Sequence, residues 1–336
     1  VRDAACLATH APFWRFERLS RPGGAWLRLG HGPAPAGPAR GSVLLLPGRC
    51  EAIEKYEELA QALAARGYRT VALDWRGQGG SARMAANRLC GHVDRFETFL
   101  DDLEAALPAL LADMPQPVIA LGHSMGGHLL LRFAADRTAE RAAQGGPGRV
   151  PPFAGLIACA PMLGVRLPMP EGLALRIATA MVGRGLGERY AWGQRDWGPH
   201  DTVFAGNRLT GDPVRFQTQV RLFTEHPDLA LGGASWGWLA AALASIRHLL
   251  APSLLETMDL PVLLLSGVND GIVRLDRHAA AARRLPHCTH RRYAGARHEL
   301  LMETDAIRDR VLADIMEFLD RLAPVQAEHK NGTEQT

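Results

Sequence analysis

The sequence predicts an α/β fold: a mostly parallel sheet covered by helices on both faces, with a helical segment inserted late in the chain. Three observations predict it. Short apolar runs alternate with helix-compatible stretches over the first 160 of the 336 residues, the pattern of strands buried on both faces. The alternation stops after residue 160, where Met162, Met169, Met181, Trp192, Trp197, Trp236 and Trp238 gather. It resumes near Pro261 and continues to Leu322. The expected division is a core over 1–160 and 257–323, an inserted helical cap over 161–256, and a disordered polar tail over 324–336.

Taken in order, residues 25–29 read as a short strand and 32–40 as a Pro/Gly/Ala-rich loop. Residues 42–46 form a compact apolar strand ended by Pro47-Gly48, and 53–65 have helical spacing closed by Gly67. A strand over 69–73 leads into a Gly-rich turn, 74–81. Residues 94–112 are a helix in which Pro108 predicts a kink or early end. A strand over 118–121 and a helix over 125–136 follow, then a turn-rich linker, 145–152, and a strand over 153–160. After the insertion come a strand at 261–266, a helix at 275–285, a strand at 289–293 and an amphipathic helix over 304–322.

Composition narrows the function. A net charge of +3 does not suggest a nucleic-acid partner. Five cysteines, an odd number without a CxxC, suit a reducing compartment and argue against a disulfide framework or zinc site. Cys159 reads as core and Cys50 as a free structural thiol. No signal-peptide pattern or membrane-spanning run is read, so a cytoplasmic location is expected, with peripheral contact at the inner membrane face as a further option.

The chemistry centres on Gly122-His123-Ser124-Met125-Gly126. This G-x-S-x-G run lies between an apolar strand and a helix, the setting that pushes a Ser hydroxyl out on a tight turn. A hydroxyl needs a base. His298 follows the last strand, at the sheet end where Ser124 would emerge; His123, His128, His287 and His290 are less well placed. Asp270, directly after the 261–266 strand, is the acid that would orient the imidazole, with Asn269 and Asp276 as rivals. Two backbone N–H groups, of Met125 and Arg49, would form an oxyanion hole. The Arg49 side chain either meets an anionic substrate group or is an ordinary surface arginine. Asp74 and Arg76 read as structural.

Together these parts resemble the α/β-hydrolase superfamily, and more narrowly the serine-aminopeptidase-like group that contains monoacylglycerol lipases and bacterial lysophospholipases of the PldB type. The matching residues are Leu44-Leu45-Leu46-Pro47-Gly48-Arg49 with Glu51 and Lys55-Tyr56, the segment from Asp74 to Ser81, Gly91-His92-Val93 with Phe96, the elbow, and Leu231-Gly232-Gly233-Ala234-Ser235-Trp236-Gly237-Trp238. The Pro-Gly-Arg form of the oxyanion loop separates the lysophospholipase type from the monoacylglycerol lipases, which usually carry His-Gly there.

The resemblance implies a serine hydrolase acting on a carboxylic ester of a single-chain lipid, a lysophospholipid first, with no metal or organic cofactor. Monoacylglycerol, an acyl thioester or a general ester are alternative substrates. A peptide N-terminus is another, for which Glu171, Glu188, Asp196 or Glu225 would hold the amine. A non-catalytic binding protein is disfavoured, because a nucleophile, a base and an acid are all present. The Trp- and Met-rich insertion suits an acyl pocket, and residues 173–182 and 238–250 are helices that either touch a membrane surface or pack among themselves.

Overall fold

The computed structural model describes residues 13–143 and 151–324. The expected linker over 145–152 and the tail over 324–336 therefore lie almost wholly outside the described residues. Eight strands form one sheet: β1 (Arg15–Ser20), β2 (Trp26–His31), β3 (Gly41–Leu46), β4 (Tyr68–Asp74), β5 (Val118–His123), β6 (Gly155–Cys159), β7 (Val262–Gly267) and β8 (Cys288–Tyr293), in the order β1-β2-β4-β3-β5-β6-β7-β8. The first two join antiparallel, and β4 to β8 pair in parallel through β3. β3, β5, β6 and β7 are buried along their whole length, as strands covered on both faces must be.

The helices are α1 (Glu57–Ala65), α2 (Glu97–Leu111), α3 (Met125–Ala143), α4 (Glu171–Gly183), α5 (Pro213–Glu225), α6 (Trp236–Leu249), α7 (Leu275–Arg284) and α8 (Asp305–Leu322). The helix expected over 53–65 opens as a 3₁₀ turn, Ile53–Tyr56, before α1 begins. Gly67, at φ +87°, closes it in the left-handed conformation. α2 runs through Pro108 and ends one turn later.

Two elements were not expected from sequence. β1 is a sheet edge with mostly exposed residues, so Arg15, Glu17 and Arg18 mask it. Its Phe16 ring is covered by the Arg28 guanidinium at 4.3 Å. α5 starts with Asp212, whose carboxylate accepts from the Val214 and Arg215 amides at 2.8 and 3.0 Å, and with Pro213 at the first helical position.

Among the described residues, the stretch between β6 and β7 adds no strand to the sheet and supplies α4, α5 and α6. Side-chain bonds tie it to the core. Ser245 of α6 meets His128 Nε2 at 2.6 Å and accepts from Arg132 at 2.8 Å. Burial, followed by the Arg132 and His248 charges, pushes the His128 pKa down to about 3, so this ring is neutral. Arg215 of α5 donates to Glu58 at 2.8 Å and to Asp305 at 2.7 Å. Gly91 and Ser235 exchange backbone hydrogen bonds with their surroundings across the seam: Gly91 N–H to Gly233 at 2.9 Å and Ser235 N–H to Gly91 at 2.8 Å. His92 closes it by meeting Ser235 Oγ at 2.8 Å. The motifs around His92 and around Ser235, far apart in sequence, are thus two halves of one joint.

α6 buries Trp236, Trp238, Leu243, Ile246 and Leu249; packing accounts for its apolar residues. α4 leaves Leu173 and Val182 exposed.

The 74–81 turn is a structural tie. The Asp74 carboxylate, fully buried, accepts from Arg28 Nε at 2.6 Å and from the Ile53 and Gly80 amides at 3.1 and 2.8 Å. Arg76 donates to buried Asp102 at 2.8 Å. Removing Arg28 leaves a buried carboxylate without its cation. Arg28→Met is expected to lower unfolding free energy by ~3 kcal/mol in chemical denaturation.

Candidate active site

Ligands of open parallel sheets sit beyond the carboxyl ends of the strands, where neighbouring connections leave in opposite directions. Here that point is β3, flanked by β4 on one side and β5 on the other. The residues after β3, β5, β7 and β8 meet there, and these are the segments that carry Arg49, Ser124, Asp270 and His298.

Two glycines let the segments approach. A Cβ on Gly126 would stand 2.1 Å from the Leu46 carbonyl oxygen and 2.5 Å from that of Pro47. Only a bare backbone allows the first turn of α3 to lie on the loop after β3. A Cβ on Gly267 would stand 2.0 Å from the Arg297 oxygen, so the end of β7 abuts the residue before His298. Ser124 itself has φ +49°, a strained value for a residue with a side chain. Its backbone is held there from both sides: the N–H donates to Cys159 at 2.9 Å, and the C=O accepts from His128 and Met162 at 3.0 and 2.9 Å.

The structure brings three of the expected side chains into one line. Ser124 Oγ is 2.9 Å from His298 Nε2, and His298 Nδ1 is 2.7 Å from Asp270 Oδ2. The other Asp270 oxygen accepts from the Ile272 and Val273 amides at 2.7 and 3.0 Å. Burial raises the Asp270 pKa. The hydrogen bond and charge of His298, with the two amides, outweigh it and hold the carboxyl below its usual range. An ionised carboxylate only accepts, so His298 Nδ1 carries the hydrogen and Nε2 presents its lone pair to the Ser124 hydroxyl.

The rivals lie elsewhere. His287 meets Asp259 at 2.9 Å, His290 meets Ser266 at 3.0 Å, and Asp276 pairs with Arg274 at 2.7 Å. The Cys50 thiol donates to Gly232 O at 3.1 Å, and burial pushes its pKa up, as it does for Cys159 in β6.

A second constellation was not anticipated. Behind the triad, Glu51 accepts four hydrogen bonds. Oε1 takes Lys55 at 2.8 Å and His123 at 2.9 Å; Oε2 takes the Tyr56 hydroxyl at 2.6 Å and the Gly48 amide. Lys55 also pairs with Glu299 at 2.6 Å. His123 Nε2 faces the His298 carbonyl oxygen at 3.3 Å. Both ring nitrogens of His123 therefore face acceptors, and both must donate: the ring is an imidazolium. Burial lowers the His123 pKa, but the Glu51 charge and hydrogen bond dominate and raise it. Burial likewise pushes Glu51 up, and His123 with Lys55 hold it well below its usual value. Two carboxylates and two cations balance inside the protein. His123 was expected only to be less well placed than His298 to act as the base; its ring instead links the elbow to Glu51 and to the His298 loop. The signal available in sequence was Glu51 with Lys55-Tyr56, residues that carry the family resemblance.

The loop after β3 is held by the 74–81 turn. Trp75 Nε1 donates to the Pro47 carbonyl at 2.8 Å, and Gln78 Nε2 to that of Gly48 at 2.7 Å. Met125, the first residue of α3, has an N–H that no intrahelical carbonyl can reach.

The Ser124 hydroxyl opens into a cavity of about 450 Å³. Met162, Val165, Leu167, Trp238, Ile272 and Val273 give it an apolar wall. Its only lining carboxylates among the described residues are Glu51 and Glu299, both paired with Lys55. Glu171, Glu188, Asp196 and Glu225 do not line it.

The family model for serine aminopeptidase, S33, matches residues 37–305, and the chain belongs to that family. Lysophospholipase L2 of Escherichia coli strain K12 is 31% identical over 288 residues, covering 83% of this chain and 80% of that protein. A probable lysophospholipase L2 of Haemophilus influenzae is 28% identical over 291 residues, covering 85% and 86%. Among solved structures, a soluble variant of monoglyceride lipase from Saccharomyces cerevisiae, in complex with a substrate analog, superposes with a TM-score of 0.70 at 22% identity, covering 94% of this chain and 98% of that one. The last likeness shows the shared α/β-hydrolase fold.

The buried Glu51 cluster sets a pH dependence. Glu51 has a depressed folded pKa, so its contribution to stability is present above its ordinary value of 4.5 and is lost as pH falls through the folded value. His123 has a raised one, so its contribution is present below 6.5 and is lost as pH rises through the folded value. Glu51→Gln is expected to cost ~3–5 kcal/mol near pH 6. The melting-temperature gap to the unsubstituted protein should be widest between pH 4.5 and 6.5 and narrow on both sides; a constant gap across pH 3–9 would contradict the charge assignment.

Proposed function

We propose that this chain is a serine hydrolase that cleaves the carboxylic ester of a single-chain lipid, a lysophospholipid, through an acyl-enzyme. The observation that carries the reading is the Ser124–His298–Asp270 line opening into an apolar cavity. The likeness to the two lysophospholipase L2 proteins over four fifths or more of the chain supports the substrate class.

In this reading His298 Nε2 takes the Ser124 proton as Oγ attacks the acyl carbonyl. Asp270 keeps the imidazole in the required tautomer and offsets its charge. The carbonyl oxygen becomes an oxyanion held by the Met125 and Arg49 N–H groups. Arg49 N–H belongs to the same planar trans peptide as the Gly48 carbonyl, and the two groups point in opposite directions. By holding that carbonyl, Gln78 aims the donor. His298 then returns the proton to the leaving glycerol oxygen. Water, deprotonated by His298, attacks the acyl carbon; the bond to Ser124 Oγ breaks, His298 returns the proton to that oxygen, and the fatty acid leaves.

Residues 161–256 act as the cap over this site, and α4 with Trp192 is its lipid-facing edge: Leu173, Val182 and Trp192 expose their apolar side chains, and Trp192 also lines the cavity. Monoacylglycerol or thioester hydrolysis would use the same atoms. Aminopeptidase activity is disfavoured, because a substrate amine needs an unpaired carboxylate and this cavity's two carboxylates already share Lys55.

Ser124→Ala is expected to lower turnover of p-nitrophenyl esters and lysophospholipid by at least about 10⁴-fold and to abolish labelling by a fluorophosphonate. Retained activity in that variant would sink the mechanism. Gln78→Leu is expected to lower kcat by up to ~100-fold with KM little changed, since it loosens one oxyanion donor; an effect on KM alone would place Gln78 in binding. Aminoacyl-naphthylamides should not be turned over by the unsubstituted protein.

A further inference from the structure

A second cavity, of about 670 Å³, adjoins the one that holds Ser124. Arg49, Cys50, Gln194, Leu209, Gln219 and Glu299 line both. The chemistry changes across this shared wall. On the Ser124 side the lining is largely apolar, and the one arginine besides Arg49, Arg166, donates its Nε–H to Val273 O at 3.3 Å. On the far side Arg49 is joined by Arg195 and Arg208. Among the described residues no carboxylate pairs with any of these three guanidiniums. The carboxylates that do line the cavity are engaged: Asp201 faces His200 at 2.9 Å, and Glu299 is held by Lys55 at 2.6 Å.

The arginines stand on fixed backbone. Arg49 donates one N–H to Gly232 O at 2.8 Å and lies 5.4 Å over the Trp238 ring; the rest of its fork is free for a ligand. Arg195 O accepts from Gly233 N–H at 2.7 Å. The turn that carries Arg208 is pinned on either side, where Arg297 donates to Asn207 O at 3.0 Å and to Thr210 O at 2.8 Å. Unpaired cations on one concave wall attract anions, and the planar guanidinium matches the spacing of phosphate oxygens.

We propose that this second cavity is a headgroup subsite, in which Arg49, Arg195 and Arg208 bind the glycerol-linked phosphate of the substrate while the acyl chain lies in the apolar cavity. This assignment rests on the ester-hydrolase reading and names the group that selects the substrate. In a lysophospholipid only a few bonds of glycerol separate the scissile ester from the phosphate, so the phosphate must lie beside the oxyanion loop. Arg49 stands at that boundary, on the loop after β3 and lining both cavities. A monoacylglycerol has no charge for this wall to hold, and the subsite therefore distinguishes the two lipid classes.

The test compares lysophosphatidylglycerol with 1-monoacylglycerol of the same acyl chain, both below their micellar thresholds, on the unsubstituted protein and on an Arg195→Glu, Arg208→Glu variant. Both side chains are exposed, so the fold should tolerate the exchange. The unsubstituted protein should favour the phospholipid in kcat/KM by about tenfold or more, equivalent to ~1.4 kcal/mol. The variant should lose that preference and keep its monoacylglycerol rate within about twofold. An unchanged preference, or an equal loss on both substrates, overturns the proposal.

Two further arms separate it from its neighbours. Calorimetry on Ser124→Ala, which needs no turnover, should show sn-glycerol 3-phosphate binding that glycerol does not reproduce and that the two charge reversals remove. If that binding is present while no ester is turned over, the headgroup subsite stands and the hydrolase reading fails. Inorganic phosphate at constant ionic strength should compete with lysophosphatidylglycerol and leave monoacylglycerol hydrolysis unaffected. Equal inhibition of both identifies a site for free phosphate and overturns the headgroup assignment.

Discussion

One carboxylate holds the working parts of this molecule in register. Glu51 has four acceptor positions and all four are filled, by a loop amide, a phenol, an ammonium and an imidazolium. The four donors come from three pieces of the chain. Gly48 is in the loop after β3, Lys55 and Tyr56 lead into α1, and His123 is the last residue of β5 before Ser124. Through Lys55 the cluster reaches Glu299, and through His123 it reaches the His298 carbonyl. Such a group is expensive to bury and weakly stabilising in net terms. What it supplies is definition: a half-satisfied carboxylate in this position would cost several kcal/mol, so alternative loop arrangements are excluded.

The parts with a local signature were legible in sequence. An elbow needs small residues around Ser between a strand and a helix, and the apolar runs before 121 and after 261 showed where strands end. That placed Ser124, Asp270 and His298 at one sheet end, and the structure sets Ser124 and Asp270 each within hydrogen-bond reach of His298. The core strands were visible because they are buried on both faces and therefore continuously apolar. β1 was not, because an edge strand with one face in water alternates charge with apolar residues too weakly to stand out. α5 was missed although Asp212-Pro213 is a helix start, because its helical face is short and follows a Gly-rich stretch. The Glu51 cluster was illegible for a different reason. Its members are charged residues that look solvent-exposed in one dimension, and only the tertiary approach of four segments shows them to be buried partners.

The sheet and the insertion divide the labour. The sheet supplies the Ser124–His298–Asp270 line and its supports, from the carboxyl ends of strands and the loops that follow them. The stretch between β6 and β7 supplies most of the lining of the two cavities, from the apolar Met162, Val165 and Leu167 to the basic Arg195 and Arg208. The family is described by peptidase chemistry, yet none of Glu171, Glu188, Asp196 and Glu225 lines the Ser124 cavity: Glu171 accepts from the Val165 amide at 3.1 Å, and Asp196 accepts from Asn87 at 2.9 Å. A shared scaffold thus carries a differently furnished wall, which is how one fold serves several chemistries.

The anchorage of α6 to α3 passes through His128, an imidazole that desolvation keeps uncharged far into acid. Histidine is commonly the residue through which acidity loosens a joint. This one has been taken out of that role: its contact with Ser245 is the same in neutral and mildly acidic surroundings, while a second contact between the two helices, His248 to Asp136 at 2.7 Å, sets an imidazole against a carboxylate.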